Sequence, residues 1–208
     1  AVGRWIAEVA GRRLARVSLE LGGKNPLVVC DDADLEQAVH WAALSAFSNA
    51  GQRCASGSRL IVFKEVYEEF RDRLVTRANE LKLGVTAESD LGPVVNKRQQ
   101  ENIVAAISRA KEQGGRILCG GGAPKDPELS KGYYIQPTVI EGLQPEAELC
   151  SQEVFGPVTI LDKVDSLAEA LKVANATDYG LTASIHTRNV DKAMWFAQRV
   201  KAGVANIN

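Results

Sequence analysis

Apolar positions along the chain switch repeatedly between a spacing near 3.6 and a spacing of 2, and this switching sets the expected elements. Val2, Ile6, Val9 and Ala10 recur at helical spacing, and Gly11 is placed to end that helix. Arg16–Leu21 alternates as a strand and is broken by Gly22-Gly23, two residues free to reach positive φ. Asn25-Pro26 favours extended backbone, and Leu27–Cys30 is an all-apolar run of the kind buried in a sheet. Leu35, Ala38, Val39, Ala42, Ala43, Ala46 and Phe47 predict a helix over 35–49, with the Asp31-Asp32-Ala33-Asp34 stretch supplying its N-cap.

The same alternation continues. A strand is expected over 59–64, then a helix over 66–81 with Tyr67, Phe70, Leu74, Ala78 and Leu81 along its core face. A helix over 97–113 stops at Gly114-Gly115, and a short strand over 116–119 follows. Extended segments surround Pro137 between 133 and 141, and a strand covers 158–161. Helix 167–175, strand 182–186, helix 190–200 and strand 204–207 finish the pattern. Helices alternating with strands predict an α/β fold, a mostly parallel, Rossmann-like sheet flanked by helices.

Composition narrows the function classes. The chain has 208 residues, 45% hydrophobic and 25% charged, enough for one domain or slightly more. Its net charge of −1 is spread along the chain, so no broad field would draw nucleic acid or a membrane surface. The basic run around Arg12, Arg13 and Arg16 reads as a solvated turn face, and no run of 18 apolar residues marks a membrane span. Four cysteines without C-x-x-C spacing and only two histidines argue against a metal site and for a reducing, cytoplasmic setting. Gly120-Gly121-Gly122 lacks the Lys-Ser/Thr ending of a phosphate loop.

Candidate chemistry concentrates in Phe47–Ser58. Cys54 lies there among small residues, between a helical pattern and a strand, where a side chain can face a cleft while rigid elements hold its backbone. A thiol attacks as its thiolate, which Arg53 and the surrounding backbone N–H groups favour. Most cysteines are buried small hydrophobes, and Cys30 and Cys119, ending apolar runs, fit that description. Cys150 stands just before Ser151-Gln152-Glu153. Glu20, at the end of the expected 16–21 strand and next to two glycines, is placed as a general base with room for water. His40 on a helix and His186 in an apolar strand have no partners of a catalytic base.

Three segments carry a resemblance. Phe47-x-x-x-Gly51-Gln52-x-Cys54 resembles the cysteine signature of the aldehyde dehydrogenase superfamily, and Leu19-Glu20-Leu21-Gly22-Gly23-Lys24-Asn25-Pro26 resembles its glutamate signature. Glu153-Val154-Phe155-Gly156-Pro157 is similar to the family segment that touches the nicotinamide half of the cofactor. The resemblance spans the chain and keeps the family's order.

It implies oxidation of an aldehyde to a carboxylic acid with NAD or NADP, with Cys54 as nucleophile and Glu20 as the base that hydrolyses the resulting thioester. Gly3, Leu21, Gly22, Gln99, Glu153 and Phe155 are then the cofactor contacts, with Glu153 on the ribose hydroxyls and Phe155 on the nicotinamide face. No metal is implied. Residues 1–20 correspond to the end of the family's cofactor-binding domain and 21–208 to its catalytic domain. Family members are about twice this length or more, and the opening Ala1-Val2-Gly3 reads as a piece of such a chain. A homo-oligomer, dimer or tetramer, through helix 35–49 is also implied. Relatives that pass the acyl group to coenzyme A generally lack the glutamate; a non-catalytic interaction domain is the alternative of a different class.

Overall fold

The computed structural model describes residues 2–208; Ala1 lies outside the described residues. The chain forms helix α1 (Val2–Arg12), strand β1 (Asn25–Val29), helix α2 (Leu35–Phe47), strand β2 (Gly57–Phe63) and helices α3 (Lys64–Glu80) and α4 (Lys97–Glu112). Strands β3 (Arg116–Cys119) and β4 (Thr138–Glu141), the short helix α5 (Glu148–Ser151) and strand β5 (Val158–Val164) come next. Helix α6 (Leu167–Ala174), strand β6 (Thr182–His186), helix α7 (Val190–Ala197) and strand β7 (Val204–Ile207) complete it.

These strands make one seven-stranded sheet in the order β3-β4-β5-β2-β1-β6-β7. Every pairing is parallel except β3 with β4. The central strands are apolar on both faces, as a sheet covered on both sides requires. Leu27, Val29, Leu60, Val62 and Leu161 pack towards α2 and α3, whereas Val28, Ile61, Ile185 and Val164 point to the opposite face, with Ala170 and Ala174 of α6 and Phe196 of α7. Ile140, Ile160 and Val158 meet Ile103 and Ile107 of α4. The expected α/β architecture with a mostly parallel sheet is therefore present.

Two local expectations are corrected. Residues 15–24 contain no strand, and Arg16–Ser18 and Glu20 are exposed. Alternating side chains make a strand only when the backbone finds a ladder partner, and the sheet ends at β3 and β7 without including this segment. Glu20 thus stands on the irregular segment that leads into β1 and not on a strand end. Helix 35–49 stops early, at Phe47, because Asn49 and Ala50 take φ of 54° and 52° and Gly51 takes 67°. Three successive left-handed residues cannot continue a right-handed helix, and they turn the chain into the loop that carries Cys54.

Asp34 caps α2 as expected, accepting from the Gln37 N–H at 3.2 Å. Asp31 and Asp32 instead pair with Lys192 of α7, and Asp32 also accepts from the Thr187 hydroxyl at 2.6 Å. The acidic cluster joins the β1–α2 turn to the α7 side of the sheet.

Candidate active site

Strands β5, β2 and β1 are adjacent and parallel, and each of the three signature segments is the loop that enters one of them. The glutamate segment enters β1 at Asn25, the cysteine segment enters β2 at Gly57, and the Glu153 segment enters β5 at Val158. Parallel neighbours begin at the same edge of a sheet, so residues separated by more than a hundred positions are brought side by side. The site sits at the amino ends of these strands, whereas ligands of open α/β sheets ordinarily sit beyond the carboxyl ends.

Packing between the loops is backbone-close. A Cβ at Gly23 would lie 2.2 Å from the Cys54 carbonyl oxygen, and a Cβ at Gly22 would lie 2.1 Å from a Glu153 carboxylate oxygen. The other Glu153 oxygen accepts from the Gly23 N–H at 3.1 Å. Gly51 meets the Gly156 carbonyl, where a Cβ would come within 2.0 Å, and its φ is left-handed besides. Only glycine fits at Gly23 and Gly51, where the opposing atoms are backbone, whereas at Gly22 a Cβ would displace the Glu153 carboxylate.

Cys54 is half-buried, while Cys30, Cys119 and Cys150 are buried. Burial pushes the Cys30 thiol up to about 12, and it raises Cys119 and Cys150 as well. Asn25 fixes the backbone at the nucleophile candidate and just after it, donating through Nδ2 to the carbonyls of Cys54 at 2.8 Å and Ser56 at 2.9 Å. Ser56 adds a bond from its hydroxyl to the Gly51 carbonyl at 3.1 Å. Gln52 accepts from the Val95 N–H at 2.9 Å through Oε1. Arg53 is exposed and donates to the Ser48 hydroxyl at 2.7 Å. Beside Arg53 and Ala55 opens a cleft of about 340 Å³, lined also by Trp41, Ser45, Thr182 and His186. Burial holds His186 below the ordinary histidine range, so the imidazole is neutral there.

The cofactor candidates form a continuous set. Gly3 is the buried residue of α1, and a Cβ there would lie 2.9 Å from the Leu21 methyl groups. Leu21 precedes Gly22, which touches Glu153. Gln99 donates to the Val154 and Phe155 carbonyls at 2.8 and 3.0 Å. Phe155 is 41% exposed with φ of 56°, so its ring is available to a ligand. An acceptor carboxylate beside an exposed ring, over the Gly22-Gly23 turn, suits the ribose and nicotinamide of a dinucleotide. Among the described residues, no three His, Cys, Asp or Glu side chains gather closely enough to hold a metal ion, and no helix is long and apolar enough to cross a membrane.

Three participants were not singled out by their chemistry in the sequence: Asn25, Gln52 and Lys24. Lys24 is 2% exposed, and its pKa is pushed down to about 8, first by burial and then by the Arg59 guanidinium; Cys150, Asp162 and Glu153 oppose the shift. The one signal for Asn25 and Lys24 was their place inside the glutamate signature.

Comparison with known proteins agrees with this geometry. The aldehyde dehydrogenase family matches residues 1–208. The chain is 39% identical over 209 residues to alpha-ketoglutaric semialdehyde dehydrogenase of Bacillus subtilis (strain 168), covering 100% of this chain and 43% of that protein. It is 41% identical over 210 residues to human retinaldehyde dehydrogenase 3, covering 100% of this chain and 40% of that protein. Among solved structures, betaine aldehyde dehydrogenase from Staphylococcus aureus in complex with NAD+ superposes with a TM-score of 0.94 at 34% identity, covering 99% of this chain and 41% of that one. A putative aldehyde dehydrogenase from Burkholderia cenocepacia reaches 0.95 at 39% identity, over 99% of this chain and 42% of that one. The chain spans about two fifths of the length of these relatives. With three signature loops entering three adjacent parallel strands and a match along its whole length, the chain belongs to the aldehyde dehydrogenase family.

Proposed function

We propose that this chain carries the reacting residues of an NAD(P)+-dependent aldehyde dehydrogenase, with residues 1–20 ending the cofactor-binding domain and 21–208 forming the catalytic domain. The observation that carries the reading is the contact of Gly22-Gly23 with both the Cys54 carbonyl and the Glu153 carboxylate, which puts the three signature segments at one place.

Cys54 attacks the aldehyde carbon as its thiolate, giving a tetrahedral thiohemiacetal whose oxyanion accepts a hydrogen bond from the Cys54 N–H. Bound nicotinamide supplies the hydride acceptor that turns this adduct into a thioester. Glu20 then takes a proton from water, the hydroxide adds to the thioester carbonyl, and the Cys54 thiolate leaves as the carboxylic acid forms. Glu153 and Phe155 hold the ribose and the nicotinamide face, while Gly3, Leu21 and Gly22 line the approach. The exposed position of Glu20 suits this role, since water reaches its carboxylate. Three of the four relatives named above take a semialdehyde, retinaldehyde and betaine aldehyde by their names, so the substrate class here is aldehydes in general. A homo-oligomer joined through α2 is part of the proposal, because Trp41 and Leu44 are each 45% exposed on that helix.

Appearance of reduced cofactor on adding an aldehyde to the enzyme containing this chain, abolished by Cys54→Ala, tests the reading. Oxidation that survives Cys54→Ala would overturn it.

A further inference from the structure

We propose that Arg53 is a specificity-determining residue, which selects aldehydes bearing a carboxylate at the far end of a short aliphatic chain. The inference rests on the function proposed above and names a substrate class within it. Arg53 immediately precedes Cys54 in the loop that enters β2, and consecutive Cα atoms stand about 3.8 Å apart. Arg53 and Ala55 both line the cleft of about 340 Å³, so Cys54 lies between two residues of its wall. That volume falls at the small end of ligand pockets, roughly 300–1,000 Å³.

Among the described residues, Arg53 is the one charged side chain lining that cleft. Its other polar side chains, Ser45, Thr182 and Asn206 among them, carry no charge, and burial keeps His186 neutral. Pro26 and Leu27 add an apolar wall. The guanidinium is held in place without being neutralised. Its Nη1 donates to the Ser48 hydroxyl at 2.7 Å, and among the described residues no carboxylate pairs with it. Glu153 shares a smaller pocket with Arg53, yet its carboxylate accepts from the Gly23 N–H at 3.1 Å instead. The rest of the planar fork is therefore open to a ligand carboxylate, which a guanidinium binds through two parallel N–H groups. With the aldehyde carbon held at Cys54, a carboxylate a few methylene groups away meets the side chain of the preceding residue.

The test uses the enzyme containing this chain, supplied with NAD(P)+ and either adipic semialdehyde or its methyl ester, which has the same chain without the charge. The ratio of the two kcat/KM values reads the selectivity, because any effect of Arg53 on the Cys54 thiolate acts on both aldehydes alike and cancels. Wild type is expected to prefer the semialdehyde. Arg53→Gln is expected to lower the ratio by roughly tenfold to a hundredfold, through the loss of hydrogen bonds to a charged group. Arg53→Lys, which keeps the charge and loses the fork, is expected to recover part of it. In wild type the preference is expected to weaken as salt is raised, a measurement that needs no variant.

The same ratio in wild type and Arg53→Gln overturns the proposal, as does a wild-type preference for the ester. An unchanged ratio with a raised KM for the cofactor does so too, because that combination assigns Arg53 to the cofactor phosphates. An enzyme that oxidises neither aldehyde contradicts the function proposed above, and this inference falls with it. Oxidation of the ester alone leaves that function standing and overturns only the selectivity.

Discussion

Asn25 holds Cys54: its side-chain amide donates to the Cys54 carbonyl at 2.8 Å and to the Ser56 carbonyl at 2.9 Å, while its own oxygen accepts from the Thr182 N–H at 3.2 Å. The first residue of β1 thus ties the cysteine loop to the start of β6. Asn25 is 4% exposed, so removing its amide strands buried partners. Asn25→Ala should cost about 2–3 kcal/mol in urea unfolding, and Asn25→Asp should not rescue it, because a carboxylate faces two carbonyls with no hydrogen to give. A loss below about 0.5 kcal/mol would show that the bonds are not holding the loop.

Thiol reactivity should follow burial. Cys54 is the half-buried cysteine, and the other three are buried with thiols raised by desolvation. Iodoacetamide near neutral pH is expected to label Cys54 first, by peptide mapping. Earlier modification of Cys30 or Cys119 would speak against the site.

Lys24 predicts a pH dependence of stability. Its folded pKa, about 8, lies below its ordinary 10.5, so between these values the unfolded chain holds a proton that the folded chain has lost. Stability from this group therefore rises as pH goes from about 8 to 10.5, by on the order of 3 kcal/mol. Cys30 works the other way, its raised pKa removing stability above the ordinary thiol value of 9.0. The informative comparison is wild type against Lys24→Met by urea unfolding at pH 7.5 and 10: the variant should lack the rising component. Equal pH slopes in the two proteins would rule out a strongly shifted Lys24.

Assembly is predicted from α2. Ala38, Val39, Ala42, Ala43, Ala46 and Phe47 face the core, and Trp41 and Leu44 remain on the outer side. Light scattering at tens of micromolar should give a dimer or larger, and Trp41→Glu should shift it to monomer. A wild-type monomer at that concentration contradicts the assignment for this chain.

What could be read in the sequence was local. Strands β6 and β7 occupy the bounds expected from their compact apolar runs, and Cys54, Glu20, Glu153 and Phe155 stand in short contiguous signatures. The 16–21 pattern misled because alternation describes side chains, while a strand needs a neighbouring backbone. The apolar spacing ends at Phe47 with α2 itself, and the expected extension to Asn49 went wrong because the left-handed turn at Asn49 and Ala50 has no periodic signal. The anchors were hidden for a different reason. Gln99 to Val154, Asn25 to Cys54 and Gln52 to Val95 are hydrogen bonds between distant positions, and only the adjacency of β5, β2 and β1 brings their partners together.

The division of labour between Cys54 and Glu20 is tested most directly by rapid mixing and peptide mapping of Glu20→Gln in the enzyme containing this chain, supplied with NAD(P)+ and an aldehyde. The account predicts a burst of reduced cofactor near one equivalent, an acyl group on the Cys54 peptide, and steady turnover slowed by roughly 10²–10⁴-fold. Turnover within about threefold of wild type, or an acyl group on any other cysteine, would contradict it.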